Sequence, residues 1–105
     1  MHRGTCLRLA QRPQEAIGVI DEALPTIPRR HRQDFASALL NKAMAHAAAN
    51  QPGQAAATAH HALPIARRAG SRRILHQLAH LGTAVNVHQQ LPEVRAFLDD
   101  LKEGT

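Results

Sequence analysis

The sequence predicts an all-α fold: an α-solenoid of about three stacked antiparallel helix hairpins, the first of them shortened. Three observations predict it. The 105 residues include twenty alanines and twelve leucines, no Trp or Tyr, and only two Phe. Ala and Leu are strong helix formers, whereas strands favour β-branched and aromatic residues. The second observation is an internal repeat. Residues 10–25 (AQRPQEAIGVIDEALP) lie over 49–64 (ANQPGQAAATAHHALP) at an offset of 39, with six of sixteen positions identical. These are Ala10/Ala49, Pro13/Pro52, Ala16/Ala55, Ala23/Ala62, Leu24/Leu63 and Pro25/Pro64. The third is punctuation. Breaks at Gln11-Arg12-Pro13, Asn50-Gln51-Pro52-Gly53 and His88 to Pro92 place Pro near helix starts and Gly in a turn.

Carried forward once more, the same offset aligns Ala16, Ala55 and Val94, then Ile20, Ala59 and Leu98, then Ala23, Ala62 and Leu101. Upstream it aligns Gly4, Ala43 and Gly82, and after them Leu7, His46 and Val85. Ala16, Ile20 and Ala23 are four and three residues apart, so they share one helix face, and small residues there let two helices approach closely. Helices are expected at about 2–11, 14–26, 31–49, 54–69, 71–89 and 92–103. They pair into units of about 1–30, 31–70 and 71–105 within a single domain, as the length allows. The first helix is short because only about eleven residues precede Arg12. Pro25 and Pro64 fall late in second helices and should end or kink them. Ser71 is positioned as an N-cap. The last helix opens at Pro92 and frays at Glu103-Gly104-Thr105. In a stack held by nearest-neighbour burial, the first and last helices should be the least stable.

The charge balance is basic. Thirteen Lys and Arg against eight acids give a formal net charge of +5, and eight His come on top. No apolar run approaches the ~18 residues needed to span a membrane. The start, MHRGTCLRLA, has no continuous apolar core, which argues against a signal peptide and for a cytoplasmic location. The lone Cys6 cannot make an internal disulfide or a multi-Cys zinc site, and reads as a buried small hydrophobe. The near-absence of aromatics argues against single-stranded nucleic-acid binding.

Each unit thus reads as helix, short turn, helix. The tetratricopeptide-repeat motif has a small residue midway along the first helix, an Ala early in the second, a bulkier residue four positions later, then a second Ala and a closing Pro. In this order Gly4, Ala16, Ile20, Ala23 and Pro28 resemble the tetratricopeptide-repeat family, and so do Ala43, Ala55, Ala59 and Ala62. The chain departs from the family pattern in its period of 39 rather than 34. Arg67 replaces the closing Pro, and Val94 and Leu101 stand where Ala is expected. More narrowly, Ala-Leu-Pro-Ile-Ala-Arg-Arg-Ala-Gly-Ser (62–71) and Pro92-Glu93-Val94-Arg95 resemble the C-terminal repeat domain of actinobacterial helix-turn-helix transcriptional regulators. Those regulators carry an N-terminal DNA-binding domain that this chain lacks. The chain is therefore expected to be a fragment of a longer regulator or, alternatively, a free-standing short repeat protein.

The resemblance implies a concave groove lined by the first helices. Its candidate residues are Ser37, Asn41 and Met44 in the second unit and His76, His80, Thr83 and Asn86 in the third. In family members that clamp a peptide's terminal carboxylate, an Asn sits where Asn41 is and basic residues sit where His76 and His80 are; Thr5 stands where another Asn is usual. A general peptide groove is the favoured reading, with a carboxylate clamp or a merely polar surface as alternatives. His76-Gln77-Leu78-Ala79-His80 has the His spacing of a zinc-protease helix, but Gln77 replaces the general-base Glu and removes the hydrolase reading. Two His at i, i+4 hold a metal weakly with a third ligand, and His88 lies two turns on; no specific metal site or cofactor is expected. His60-His61 point to diverging faces.

Arg29 and Arg30 form one basic cluster with His31 and Arg32. Arg67 and Arg68, with Arg72 and Arg73, form a second. Arg29 and Arg68 are 39 apart, so both clusters should occupy one inter-repeat edge as a positive rim. That rim is either a solvated surface or a site for an anionic partner; DNA contact through it would be nonspecific. Asp99-Asp100 reads as solvated, and Asp21 and Glu22 as exposed. No catalytic constellation appears, so the chain is not expected to be an enzyme. The expected function is a non-catalytic interaction module binding a peptide or protein segment, as the sensory part of a bacterial regulator. DNA would be met only through the missing N-terminal domain. The alternative is a structural homodimerisation module, with an apolar face around Leu7, Leu9 and Ile17.

Overall fold

The structure is a computed structural model and describes residues 13–103. Among these residues it is all-helical, with five α-helices, two short 3-10 turns and no strand. The expected helix 2–11, and with it Gly4, Thr5, Cys6, Leu7 and Leu9, lies outside the described residues.

Helix α1 (Pro13–Ala23) starts on a proline and has Glu15 in its first turn, where negative charge suits the helix dipole. Its Ala16 and Ile17 form a small buried cluster with Ala45 of the next helix. Asp21 bridges to Lys42 at 2.6 Å. Pro25 ends α1 earlier than the expected residue 26. Its ring disfavours helical backbone at Leu24 and supplies no N–H, so the chain tightens into the 3-10 turn Leu24–Thr26. The Thr26 hydroxyl donates to the Ala23 carbonyl at 2.6 Å.

Helix α2 (Arg32–Ala48) buries Ala36, Leu39, Leu40, Ala43 and His46, a ladder of three- and four-residue steps. Its end is a left-handed turn at Asn50, φ 63°. The Gln51 amide reaches back to the His46 carbonyl at 2.9 Å and the Asn50 amide to that of Ala47 at 3.0 Å, the paired bonds of a Schellman turn. The His46 ring closes the same turn, with Nδ1 2.8 Å from Gln51 Oε1.

Helix α3 (Pro52–Ala69) is the centre of the molecule, packed against α2 and against both helices that follow. Its buried residues are Ala55, Ala56, Ala59, Ala62, Leu63 and Ala66. Pro64 does not end it. Pro64 is exposed, and although the His60 carbonyl loses its partner the turns on either side hold the helix. The helix ends where Gly70 takes φ 65°, and the Ser71 amide bonds the Ala66 carbonyl at 3.2 Å. Both C-terminal turns therefore use the same device, with Gly in one and Asn in the other supplying the left-handed residue.

Ser71 then caps α4 (Arg72–Val85), its hydroxyl accepting from the Ile74 amide at 3.3 Å as the sequence predicts. Helix α4 buries Ile74, Leu78, Leu81, Gly82 and Val85. It stops at Val85, short of the expected 89. Asn86-Val87-His88 are poor helix formers and make a 3-10 turn instead. Helix α5 (Pro92–Glu103) docks with Val94 and Phe97 fully buried. At Gly82 a β-carbon would stand 2.6 Å from a Leu101 methyl, so the absent side chain is what lets α4 and α5 meet there. No helix among the described residues is long and apolar enough to cross a membrane.

Candidate functional site

The described surface is most distinctive where the start of α2 meets the end of α3. Arg29 in the linker, Arg32 at the first position of α2 and Arg68 in the last turn of α3 surround a cavity of about 330 Å3. Phe35, His61 and Ile65 complete its lining. His61, Ile65 and Arg68 are four and three apart, so one face of α3 presents all three. The Phe35 and His61 rings meet edge to face with centroids 6.4 Å apart. A shallower hollow beside it shares Arg32 and Arg68 and adds Arg30, His31 and Asp34.

The charge at this place is unbalanced. Among the described residues no carboxylate pairs with Arg29, Arg30, Arg32 or Arg68; Asp34 reaches His31 instead, at 3.8 Å. Arg32 also stands at the N-terminal end of α2, where unsatisfied N–H groups and the helix dipole already favour an anion. Arg68 sits at the C-terminal end of α3, where a cation is stabilised without any partner. The result is a positive mouth over a partly apolar floor.

The rim that the register predicts is thus partly assembled. Arg29, Arg30 and Arg68 converge, joined by Arg32. Arg67 turns away: its guanidinium donates to Asp100 Oδ1 at 3.2 Å and to the Asp100 carbonyl at 2.7 Å, tying α3 to α5. Arg72 and Arg73 lie exposed at the start of α4, with Arg73 bonded to Gln77 at 3.3 Å. The reading of Asp100 as solvated is corrected by the same contacts, because it also meets His60 Nε2 at 3.1 Å. Asp99 remains exposed. His60 and His61 do diverge, one towards Asp100 and Phe97, the other towards Phe35.

The Arg67 hydrogen bond holds the Asp100 carboxyl below the usual carboxylate range; Arg67's charge and the His60 contact add to this, and desolvation opposes it. A lowered folded-state value stabilises the fold above the unfolded carboxylate range, near pH 4, and that contribution is lost as pH falls through the folded value. Asp100→Asn should therefore flatten part of the acid limb of a stability–pH curve below about pH 4, measured by urea unfolding. An unchanged acid limb would show that the clip does not hold α5.

The groove residues divide. Asn41 is exposed, while Ser37 and Met44 are half-buried, Met44 packing on the core. His76, His80 and Thr83 on α4 and Asn86 in the turn after it are all exposed. Thr83 and Asn86 line a hollow of about 310 Å3 against α5, with Arg95, Asp99 and Lys102, rather than one shared with Ser37, Asn41 and Met44. His76 and His80 stack edge to face, Nε2 to Nε2 3.1 Å. Comparison with protein-family models, with curated proteins and with solved structures gives no match.

Proposed function

We propose that this chain is a non-catalytic helical-repeat module that binds an acidic peptide or protein segment, as the sensory part of a bacterial transcriptional regulator. The repeat reading is supported by the order of contacts. First helices α2 and α4 touch each other, second helices α3 and α5 touch each other, and α3 packs on α4 of the next unit. Buried alanines at the repeat positions, Ala43, Ala55, Ala59 and Ala62, permit that spacing.

The observation that carries the binding reading is the positive mouth over Phe35 and Ile65. Guanidinium groups recognise carboxylates in a planar, two-pronged way, and the apolar floor accepts an aliphatic side chain next to the acid. A segment alternating Glu and Leu fits that chemistry, and the adjoining hollow at Arg30 extends it by one more acidic contact. Asn41 and His80, exposed on α2 and α4, are further positions the rest of the segment would pass.

A labelled peptide of alternating Glu and Leu tests this by fluorescence anisotropy. Arg32→Glu/Arg68→Glu should weaken binding by about tenfold or more, since each charge-assisted hydrogen bond is worth about 1.5–3 kcal/mol. Unchanged affinity would remove the rim from the site, and loss on Asn41→Ala with the rim intact would move it to the groove. The second reading, self-association, is favoured by Val19, 60% exposed on α1 one turn before exposed Ala23. A doubled mass in light scattering without peptide would support that reading.

A further inference from the structure

His76 and His80 are exposed on α4 and do not line the basic mouth, and the function proposed above leaves their mutual geometry unexplained. Their Nε2 atoms are 3.1 Å apart and their ring centroids 4.6 Å apart, with the planes at 74°. An in-line N–H···N hydrogen bond of that length would hold the centroids about 5.4 Å apart, because each ring centre lies about 1.15 Å behind its nitrogen. The observed centroids are closer, so the two rings do not meet in line.

A divalent transition metal held by both nitrogens is compatible with this spacing. With imidazole nitrogens about 2.05 Å from the ion, a 3.1 Å separation subtends roughly 100°, between the square and tetrahedral angles. The same construction puts the ring centroids about 4.8 Å apart, close to what is seen. The helix supplies this bite directly, since residues i and i+4 lie one above the other on one face. Ser71 caps the helix and Ile74, Leu78 and Leu81 anchor its opposite face, so the backbone carrying both rings is fixed. Of the side chains nearby, Arg73 is held by Gln77, and Thr83 donates its hydroxyl to the Ala79 carbonyl.

We propose that His76 and His80 chelate a divalent transition metal ion of the zinc, nickel and copper class through their Nε2 atoms. Two positions of a four-coordinate ion are filled by the protein, and the other two are left to water. Among the described residues no group of three or more His, Cys, Asp or Glu is placed to hold a metal, so this is an open two-ligand site. Copper should bind most tightly, following the general order of affinities for nitrogen ligands. Both imidazoles must be neutral to bind, so the ion competes with protons at the same nitrogens.

The test uses the full chain near neutral pH, titrated with zinc or nickel by calorimetry. Each variant also carries His2→Ala, which removes a competing ligand beside the amino terminus. One ion per chain is expected, with ring resonances of His76 and His80 shifted and those of His31 and His46 unmoved. His76→Ala or His80→Ala should each weaken binding by tenfold or more, because loss of a mere outer-shell partner already costs about 10- to 100-fold. His88→Ala should leave affinity unchanged. Free metal at a hundred times its Kd should shift the unfolding equilibrium by about a hundredfold, and this shift should vanish in either variant. Far-UV circular dichroism checks that the variants stay folded. Binding that survives loss of either histidine, or no binding at millimolar metal, overturns the proposal.

Discussion

Phe97→Ala should lower the stability of this protein by about 3–5 kcal/mol, the usual cost of deleting a fully buried aromatic ring. Phe97 is the largest of the fully buried side chains and one of two aromatics in the chain. Its ring edge would stand 3.7 Å from a β-carbon placed on Gly82, and its centroid is 6.4 Å from the His60 ring. Helix α5 has few other deep anchors: Val94 is buried, while Leu98 and Leu101 are half-buried. Domains of this size are stable by only about 5–15 kcal/mol, so the variant loses a large share of the whole. Urea unfolding followed by circular dichroism is the measurement, because a chain without Trp or Tyr has no strong fluorescence reporter. Phe97→Leu, which leaves less empty volume, should cost distinctly less. A loss under about 1 kcal/mol for Phe97→Ala would mean that α5 does not dock through this ring.

The all-α fold was legible because several independent signals agree. The 39-residue register places Ala55 and Val94 at corresponding points of α3 and α5, and both are fully buried. It also aligns Gly82 with buried Ala43, and at Gly82 a β-carbon would stand 2.6 Å from a Leu101 methyl. Where the reading failed, a local rule met a specific context. Of the end or kink expected at Pro64, the end does not occur, and α3 runs on to Ala69. The 71–89 pattern lost its helical character at Asn86, where propensity outweighed periodicity. Ala23, equivalent by register to buried Ala62, is exposed.

The site was legible only in part, for a physical reason. The repeat offset relates Arg29 to Arg68, and those two do share a cavity lining. Which guanidinium stays available depends on partners far away in sequence. Arg67 and Arg68 are adjacent, yet Arg67 is satisfied by Asp100 thirty-three residues on, while Arg68 is left at the mouth. Phe35 and Ile65, which give the mouth its floor, follow no motif. Only the crossing of α2 with α3 brings them together. His76 and His80 were visible as a spacing, but a spacing does not show that their Nε2 atoms lie 3.1 Å apart.

Ala59→Leu is the second substitution with a large expected effect, and it probes why alanine is so abundant. If Ala59 were present only for helix propensity, leucine would be nearly neutral, since the two differ by a few tenths of a kcal/mol in a helix interior. Burial predicts the opposite. Ala59 has no exposed surface and lies in the middle of α3, in the cluster that holds Leu40, Leu63, Ile74 and Phe97. Its neighbours on the same face, Ala55, Ala56, Ala62 and Ala66, are equally buried, so α3 has little slack in which to turn. Three additional carbons there must push a partner helix outward, and overpacking of this kind costs about 1–3 kcal/mol. The hydrophobic gain of a leucine, about 0.8 kcal/mol per buried CH2, is realised only if room exists. Room exists at Ala57, exposed on the same helix, so Ala57→Leu serves as the control and should change stability by less than about 0.5 kcal/mol. Equal unfolding midpoints for the two variants would show that α3 does not sit in close contact with its neighbours. A lower midpoint for Ala59→Leu alone would place the alanines at helix crossings, where their small size sets the distance between helices.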